Sequence, residues 1–295
     1  MEKNILALFL LFTGISMSVF AQETLPKKDT TKIEKLVETI IKDTVKRKET
    51  KKDTILEKKL EKHFYGIRQF THETYLFVAT PTRWHEADWL RVGIVIAVTA
   101  AIIPFDQKLN TAFKGNQRTS FTQNFNNTVP VVAGRVYGEW YSIGTVTAIF
   151  AGYGILAHDT AAKKIAIELF QAGVYSELFT EVLKIGIGRD RPYVDNGSLT
   201  FHPFSLNRDY ESMPSGHSTS AFPLSTVMFR HAHSTFWKIM SFVPAGFTIY
   251  SRLHQDFHWT SDCFMGATAG FSTGMWVVTL HERKLHKINI PADPK

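Results

Sequence analysis

The pattern of apolar and polar positions changes near residue 63, where a lysine-rich segment gives way to long apolar stretches separated by polar loops. These stretches lack the strict alternation of a half-buried strand and are rich in Ala and Gly, which favours packed helices. They cover residues 92–105, 142–157, 239–250 and 264–280. Residues 162–187 are also helical in pattern, but they contain Glu168, Glu177, Glu181 and Lys184, so part of that helix must meet water or partners. The pattern predicts an all-α fold, a compact bundle of about six core helices.

The apolar stretches are intermediate in length between membrane and soluble helices. A helix that spans a bilayer needs about 20 apolar residues, whereas runs of roughly 10 to 14 are more often core helices. The sequence therefore favours a compact bundle with a polar mouth, embedded in a membrane or lying at its face, over a fully soluble domain.

The N-terminal segment does not share the pattern of the bundle. Residues 1–21 resemble a secretory signal peptide, with Lys3, an apolar run and small residues before Gln22; an uncleaved membrane anchor is the alternative. Residues 22–62 are rich in Lys, Glu and Thr, which predicts a charged linker, disordered or helical. We expect the helical domain at residues 63–286, a C-terminal tail at 287–295, and export of the protein from the cytoplasm.

The net charge of +7 raises the question of nucleic-acid binding. Residues 23–62 hold 13 Lys/Arg against 9 Asp/Glu, so this segment carries four of the seven excess charges. The remaining excess is too small and scattered for a nucleic-acid groove, and no nucleic-acid partner is predicted. The single cysteine, Cys263, excludes an intrachain disulfide and is expected to be a small buried side chain rather than a reactive thiol.

Three short motifs between residues 184 and 262 contain the candidate chemistry, and the first supplies cations. Lys184 and Arg191 are seven residues apart, although Gly186 and Gly188 make one continuous helix doubtful. Pro192 disfavours helix at Arg191. Lys and Arg together suit an oxyanion, because a guanidinium offers two parallel donors and an ammonium a point charge. A solvated surface charge is the ordinary alternative for each, and the adjacent Arg189 and Asp190 are expected to pair with each other.

The second motif is Pro-Ser-Gly-His at residues 214–217, which indicates a tight turn that opens a helix. Gly216 lets the backbone approach a ligand, and the free N–H groups of a helix start attract an anion. The hydroxyl of Ser215 adds a donor, and His217 is placed to protonate a leaving oxygen. An ordinary N-cap by Ser215 or Ser218 would explain the serines, but it would not explain the histidine.

The third motif contains Arg252, His258 and Asp262. His258 and Asp262 are four residues apart and would share a helical face. A carboxylate that accepts from one imidazole nitrogen leaves the other nitrogen free to attack phosphorus. Arg252 would neutralise a further phosphoryl oxygen. The rival interpretation is a metal ladder of His254, His258 and Asp262, which we disfavour because the surrounding cations would repel a metal ion.

Together the motifs resemble the signature of the type 2 phosphatidic acid phosphatase superfamily, which includes bacterial class A acid phosphatases and vanadium haloperoxidases. The matching pattern is Lys-x6-Arg-Pro, Pro-Ser-Gly-His and Ser-Arg-x5-His-x3-Asp, with no departure at any motif position. The resemblance implies an all-α fold without a metal or other cofactor. It implies His258 as nucleophile, His217 as general acid and then base, and Asp262 as the residue that orients His258. It further implies phosphate binding by a set of five residues, Lys184, Arg191, Ser215, Gly216 and Arg252.

The resulting hypothesis is a phosphatase acting outside the cytoplasm, at a membrane with its active site on the periplasmic side or in the periplasm itself. Its substrate would be a phosphorylated lipid, which the apolar helices and the aromatic loop at residues 193–213 favour. That loop is equally compatible with a packed connection. The alternatives are a soluble non-specific acid phosphatase acting on small phosphoesters, a vanadate-dependent haloperoxidase, and a transport or scaffold protein with a phosphate pocket. The sequence does not indicate an oligomeric state.

Overall fold

The computed structural model describes residues 67–115 and 130–287. The predicted signal peptide, the charged linker and residues 288–295 of the predicted tail lie outside the described residues, and the domain boundaries stay predictions. The described helices are α1 (Ile67–Val78), α2 (Glu86–Ile102), α3 (Asp106–Gly115), α4 (Pro130–Gly138), α5 (Trp140–Leu156), α6 (Thr160–Ile187), α7 (Gly216–His231), α8 (Thr235–Met240), α9 (Val243–His254) and α10 (Thr260–Lys287). Within these residues the only strand-like pairing is an isolated bridge between Arg189 and Phe201. The all-α prediction is confirmed.

The hydrophobic core lies between the longer helices. Among the described residues, its buried side chains come from six helices, α4, α5, α6, α7, α9 and α10, which matches the predicted number, although the predicted helix at residues 92–105 contributes none of them. Phe150, Leu169 and Leu224 are fully buried there. Around them, α7 packs most extensively on α10, α9 on α4, and α6 on α5. Cys263 is buried and free, as expected.

A row of glycines on α10 sets the distance between α10 and α7. A Cβ atom on Gly266 would lie 2.5 Å from the carbonyl oxygen of Ser215, and one on Gly270 would lie 2.7 Å from the carbonyl oxygen of Thr219. Real Cβ atoms do not approach other atoms this closely, so only glycine permits the contact. The start of α10 is thereby held directly against the turn that begins α7.

Helix α6 covers nearly the predicted range, residues 160–187 against 162–187. Asp159 caps its start by accepting from the backbone N–H of Ala161 at 3.0 Å. The helix passes through Gly186 but ends where Gly188 adopts a left-handed φ of 59°, so it does not continue to Arg191, as the two glycines indicated. An interior glycine costs only about 1 kcal/mol, which the packing of a long helix outweighs. Lys184 is therefore carried in the last turn of α6.

Two segments of the described chain are long and apolar enough to cross a membrane, Glu86–Phe113 and Thr260–Leu285. Only 6% of the apolar window of the first is buried inside the protein, against 44% for the second. The first segment thus leaves its side chains facing outward, whereas the second also contributes to the core.

A buried ionic cluster joins α1, α6 and α10 at a distance from the three motifs. Glu73 of α1 is 1% exposed and contacts Lys284, Gln171 and Gln69. His281 places Nε2 3.4 Å from Oε2 of Glu73, while its Nδ1 lies 3.3 Å from Oε1 of Glu168. Buried charges are tolerated when they are paired and hydrogen-bonded, so the cluster holds α1 on the bundle through a single carboxylate.

We expect Glu73→Ala to destabilise the protein by about 3–5 kcal/mol, because it removes the buried carboxylate that pairs with both His281 and Lys284. Burial alone would raise the pKa of Glu73, but His281 and Lys284 lower it from 4.5 to about 2. The stabilisation is therefore fully present above about pH 4.5 and is lost as the pH falls towards 2. Thermal unfolding of the detergent-solubilised protein across this pH range measures both effects. The exposed Glu86→Ala is the control, and an E73A midpoint as high as that of E86A would contradict the assignment.

Candidate active site

The end of α6 brings the first motif to the start of α7. The ammonium of Lys184 pairs with Oε1 of Glu181 at 2.6 Å. A Cβ atom on Gly216 would lie only 3.2 Å from the same ammonium. Lys184 therefore lies over the first turn of α7, and the structure brings these two predicted phosphate ligands together.

Arg191 follows in extended backbone, with φ −77° and ψ 152°, as Pro192 predicted. Its Nε donates to the carbonyl oxygen of Arg208 at 3.1 Å. Its guanidinium lies 6.0 Å from the ring centroid of Phe257, and that of Arg252 lies 5.4 Å from the same ring. One aromatic side chain therefore lies against both guanidinium groups, and holds these predicted ligands near each other.

The Pro-Ser-Gly-His turn starts α7 as predicted. Ser215 is the N-cap, and its hydroxyl accepts from the backbone N–H of Ser218 at 3.4 Å. The N–H of Ser215 donates to the carbonyl oxygen of Asp262 at 3.0 Å, so α10 holds the turn in place. The N–H groups of Gly216 and His217 belong to the first helical turn, where backbone donors lack intrahelical acceptors. They supply the donors that an anion would use.

His217 lies beside a cation and a carboxylate at the same ring nitrogen. Nη1 of Arg252 is 3.1 Å from Nε2 of His217, and Oε1 of Glu139 is 3.2 Å from it. Arg252 is itself 4% exposed, and burial lowers its pKa to about 10, so it stays charged at neutral pH. The predicted acid–base residue is thus in direct contact with one of the predicted phosphate ligands.

His258 is 3% exposed and has one fixed nitrogen. Its Nδ1 lies 2.8 Å from the carbonyl oxygen of Ser212. A carbonyl only accepts, so Nδ1 carries the proton and Nε2 retains a lone pair. This is the tautomer that a nucleophilic histidine needs.

The arrangement of Asp262 differs from the sequence expectation in two respects. Oδ2 of Asp262 is 3.9 Å from Nδ1 of His258, too far for a hydrogen bond, and the Ser212 carbonyl takes the expected place. His258 also precedes α10, so the two residues do not share a helical face. The reason is that Oδ2 of Asp262 accepts from the backbone N–H of Trp259 at 2.8 Å, which starts the helix after His258.

Asp262 acts on His258 through its neighbours. The hydroxyl of Ser212 donates to Oδ2 of Asp262 at 2.5 Å, and Arg189 donates to Oδ1 at 2.6 Å. Asp262 therefore fixes the residue whose carbonyl fixes His258. Its negative charge also lies close enough to favour an imidazolium.

Arg189 does not pair with Asp190, which corrects the sequence expectation. It is fully buried and donates to Asp106 at 2.8 Å as well as to Asp262. Asp190 instead lies 3.1 Å from His202 and accepts from Asn196 at 2.9 Å. Side chains of adjacent residues in extended backbone point in opposite directions, which separates the two.

Burial and converging cations set the electrostatics of both histidines. Burial, followed by the charges of Arg252, Arg191, Lys184 and Arg135, lowers the pKa of His217 to about 3. Burial also lowers the pKa of His258 well below 6.5, with Arg191 the next contributor. Both imidazoles are therefore neutral when the site is empty. The cations reach both rings, which means that they surround one region of space.

The alternative metal ladder is not assembled. In the described ranges 67–115 and 130–287, no group of three or more His, Cys, Asp or Glu side chains is arranged to hold a metal ion. His254 instead stacks on Tyr250, with ring centroids 5.8 Å apart.

Several contributing residues carried no signal in the sequence. Asp106 accepts from the N–H of Ser261 at 3.0 Å, yet it lies 83 residues before Arg189 in an ordinary helix start. Glu139 and Phe257 are isolated in sequence from partners that only folding brings close. Arg189 lies two residues before Arg191, but nothing in the spacing distinguished it from a surface charge.

Comparison with known proteins shows which family the chain resembles. The sequence profile of the PAP2 superfamily matches residues 166–285. The chain is 35% identical over 206 residues to the lipid A 1-phosphatase of Rhizobium etli, covering 64% of this chain and 82% of that protein. It is 34% identical over 139 residues to the lipid A 1-phosphatase of Rhizobium johnstonii, covering 43% and 52% respectively. The crystal structure of Aquifex aeolicus LpxE is 18% identical, with a TM-score of 0.43, covering 59% of this chain and 95% of that one.

The profile match contains all three motifs, and the first relative is matched over most of its length. The resemblance inferred from the motifs is therefore confirmed: the chain belongs to the PAP2 superfamily, and it is a phosphoric ester hydrolase.

Proposed function

We propose that this protein hydrolyses the phosphate of a phosphorylated lipid through a phosphohistidine on His258. The observation that carries the proposal is a buried neutral imidazole, oriented by the Ser212 carbonyl, within the field of the cations that also surround His217. A neutral imidazole is a nucleophile, and surrounding cations attract a phosphoryl group to it.

The reaction proceeds in two displacements. Nε2 of His258 attacks phosphorus, a P–N bond forms, and the P–O bond to the leaving group breaks. His217 gives its proton to the departing oxygen. A water then attacks phosphorus and loses a proton to His217, and the P–N bond breaks to release inorganic phosphate.

The phosphoryl oxygens are bound by the cations and the first turn of α7. Arg191 and Arg252 offer guanidinium donors, while Lys184 and the N–H groups near Gly216 contact the remaining oxygen. Their charge is fixed before the reaction, so it stabilises the negative charge that spreads over the equatorial oxygens. The hydroxyl of Ser215 contributes a further donor.

Substrate binding also prepares the acid. The pKa of His217 is about 3 in the empty site because of burial and the neighbouring cations. A bound phosphoryl dianion neutralises those cations, which raises the pKa of His217 and lets it take up the proton that it later donates.

The outer face of α6 supports a lipid environment. Its polar side chains point into the protein, where Glu168, Gln171, Ser176 and Thr180 are buried. Its exposed residues are mostly apolar, with Glu181 as a charged exception near the end of the helix, and the large apolar ones are Phe170, Val174, Leu178, Phe179, Val182 and Ile185. This distribution is the inverse of that on a soluble amphipathic helix and suits contact with hydrocarbon. We infer an embedded bundle, with Glu86–Phe113 and Thr260–Leu285 as crossing segments.

The loop between α6 and α7 supports an amphiphilic substrate. Phe204 is 81% exposed and Leu206 is 78% exposed, in the loop that also carries Arg191. By contrast, Phe201 lies 5.6 Å from the Arg189 guanidinium, and Tyr210 stacks on His202. The loop is thus partly packed and partly available for acyl chains. The relatives named lipid A 1-phosphatase make a lipid A phosphate the first substrate to test, at the periplasmic side.

A phosphate-release panel after detergent phase separation tests this proposal. It compares lipid A, phosphatidate, phosphatidylglycerol phosphate and isoprenyl diphosphate with soluble phosphomonoesters. We expect activity in the detergent phase, preference for a lipid substrate, inhibition by vanadate and no effect of a chelator. Activity in the aqueous phase on small esters would instead support a soluble acid phosphatase, and halide oxidation with vanadate would support a haloperoxidase.

A further inference from the structure

Nε2 of His217 has two hydrogen-bonding neighbours, and each requires a different protonation state of this nitrogen. Arg252 only donates hydrogen bonds, so contact with its Nη1 at 3.1 Å requires a lone pair on Nε2. Glu139 offers a carboxylate oxygen at 3.2 Å, and this contact is satisfied when Nε2 carries a proton. The two contacts therefore belong to two protonation states of one imidazole.

The backbone just before Glu139 lies in close contact with His217. Gly138 ends α4, and a Cβ atom on it would lie 2.9 Å from Cβ of His217 and 2.5 Å from Cγ2 of Thr248. No other residue fits there, since both distances are shorter than real Cβ contacts. The junction between α4 and α5 thus brings Glu139 to the ring.

Glu139 is the carboxylate in direct contact with His217 in the described chain. The charged and titratable groups that face the ring from the packed elements are otherwise cationic or neutral: Lys184 from α6, Arg191 from the following loop, Arg135 from α4, Arg252 from α9, and His258. A general acid must hold a proton before it can donate one, and these cations oppose that. One adjacent negative charge offsets them in part.

We propose that Glu139 is a positioning residue that holds the proton of His217 on Nε2, directed at the leaving oxygen. The inference rests on the proposed phosphohistidine reaction. When a phosphoryl group draws Arg252 onto its oxygens, Nε2 loses the competing donor and is protonated against Glu139. The proton then passes to the leaving oxygen as the P–O bond breaks, and His217 returns to the neutral form.

The test compares two leaving groups in Glu139→Gln, which removes the charge but keeps the shape. An alkyl phosphate needs its leaving oxygen protonated, whereas p-nitrophenyl phosphate has a leaving group stable as an anion. The rate of phosphoenzyme formation at saturating substrate reports the first chemical step and the ionisations of the enzyme–substrate complex, in which His217 holds its proton. We expect E139Q to move the alkaline limb of the alkyl-phosphate profile down by about one pH unit. At pH values above that limb, the rate of E139Q relative to the wild type should fall about tenfold with the alkyl ester and less than about twofold with the aryl ester.

Two variants serve as controls. Glu181→Gln removes a carboxylate paired with Lys184, so it changes the charge near the site without touching His217. It should affect both esters equally and leave the alkaline limb in place. Glu139→Asp restores the charge on a shorter side chain and should return the limb towards the wild-type position.

An E139Q enzyme with an unchanged limb and an unchanged ratio of the two esters would overturn the inference. The same would follow if E181Q reproduced the change, since a general charge effect would then suffice. Trapping of the wild-type phosphoenzyme distinguishes failure of the proposed reaction from failure of the proposed role of Glu139. Absence of phosphohistidine would rule out the proposed reaction. Its presence, together with an E139Q enzyme whose pH profile and ester ratio are unchanged, would rule out only the role of Glu139.

Discussion

His258→Ala is expected to lower kcat/KM by more than about a thousandfold and to abolish the covalent intermediate. The imidazole is the attacking group in the proposed mechanism, and its Nε2 is left free when Nδ1 contacts the Ser212 carbonyl. Removing it leaves the cationic site able to bind phosphate but unable to form a P–N bond. Radiolabelled substrate, quenched in alkali where phosphohistidine survives, would show the label on the wild-type chain and none on H258A.

His254→Ala is the matched control, because His254 lies on α9 four residues before His258 and stacks on Tyr250. It should retain wild-type labelling and turnover. Substantial turnover by folded H258A would contradict a covalent mechanism. A loss in H254A equal to that in H258A, reversed by added metal, would instead favour the metal ladder.

The second large effect is expected for Arg189→Gln, which should destabilise the protein by about 3–5 kcal/mol. Arg189 is fully buried between Asp106 and Asp262, at 2.8 and 2.6 Å. Its loss leaves two buried carboxylates without their cation, which is more costly than the loss of a surface pair. A decrease in the thermal midpoint of about 10 °C should follow. Activity should fall as well, since Asp262 holds Ser212 and thereby His258.

The exposed Arg283→Gln removes an equal charge from α10 and should leave the midpoint nearly unchanged. Arg189→Lys should resemble the Gln variant more than the wild type, because an ammonium does not reproduce the donors of a guanidinium that reaches both carboxylates. An R189Q protein as stable as R283Q would show that the buried pairs contribute nothing.

The local chemistry of the motifs was predictable because each depends on residues close in sequence. Pro192 predicted extended backbone at Arg191, and Ser215 predicted the start of α7. The apolar pattern predicted a helical bundle with about six core helices, and six helices form the core. It did not indicate that the helix at residues 92–105 lies outside the core cluster, because periodicity does not show which helices pack together.

The contacts around the histidines were not predictable, since they join distant segments. The expected direct bond from Asp262 to His258 became an indirect one, because the same carboxylate starts α10 and binds Arg189. The expected pair of Arg189 and Asp190 gave way to partners 83 and 73 residues away. Periodicity reports which face of a helix is buried, but it carries no information on which buried groups meet.

The sequence by itself determined the helical class and the PAP2 superfamily and supplied the candidate reactive side chains, because short-range backbone preferences and motif spacing are local properties of the chain. Only the tertiary structure decided that Ser212 rather than Asp262 contacts Nδ1 of His258, and that Glu139 meets His217. These contacts depend on how closely helices pack, which is set by groups such as Gly138 and Gly266 whose effect exists only across an interface.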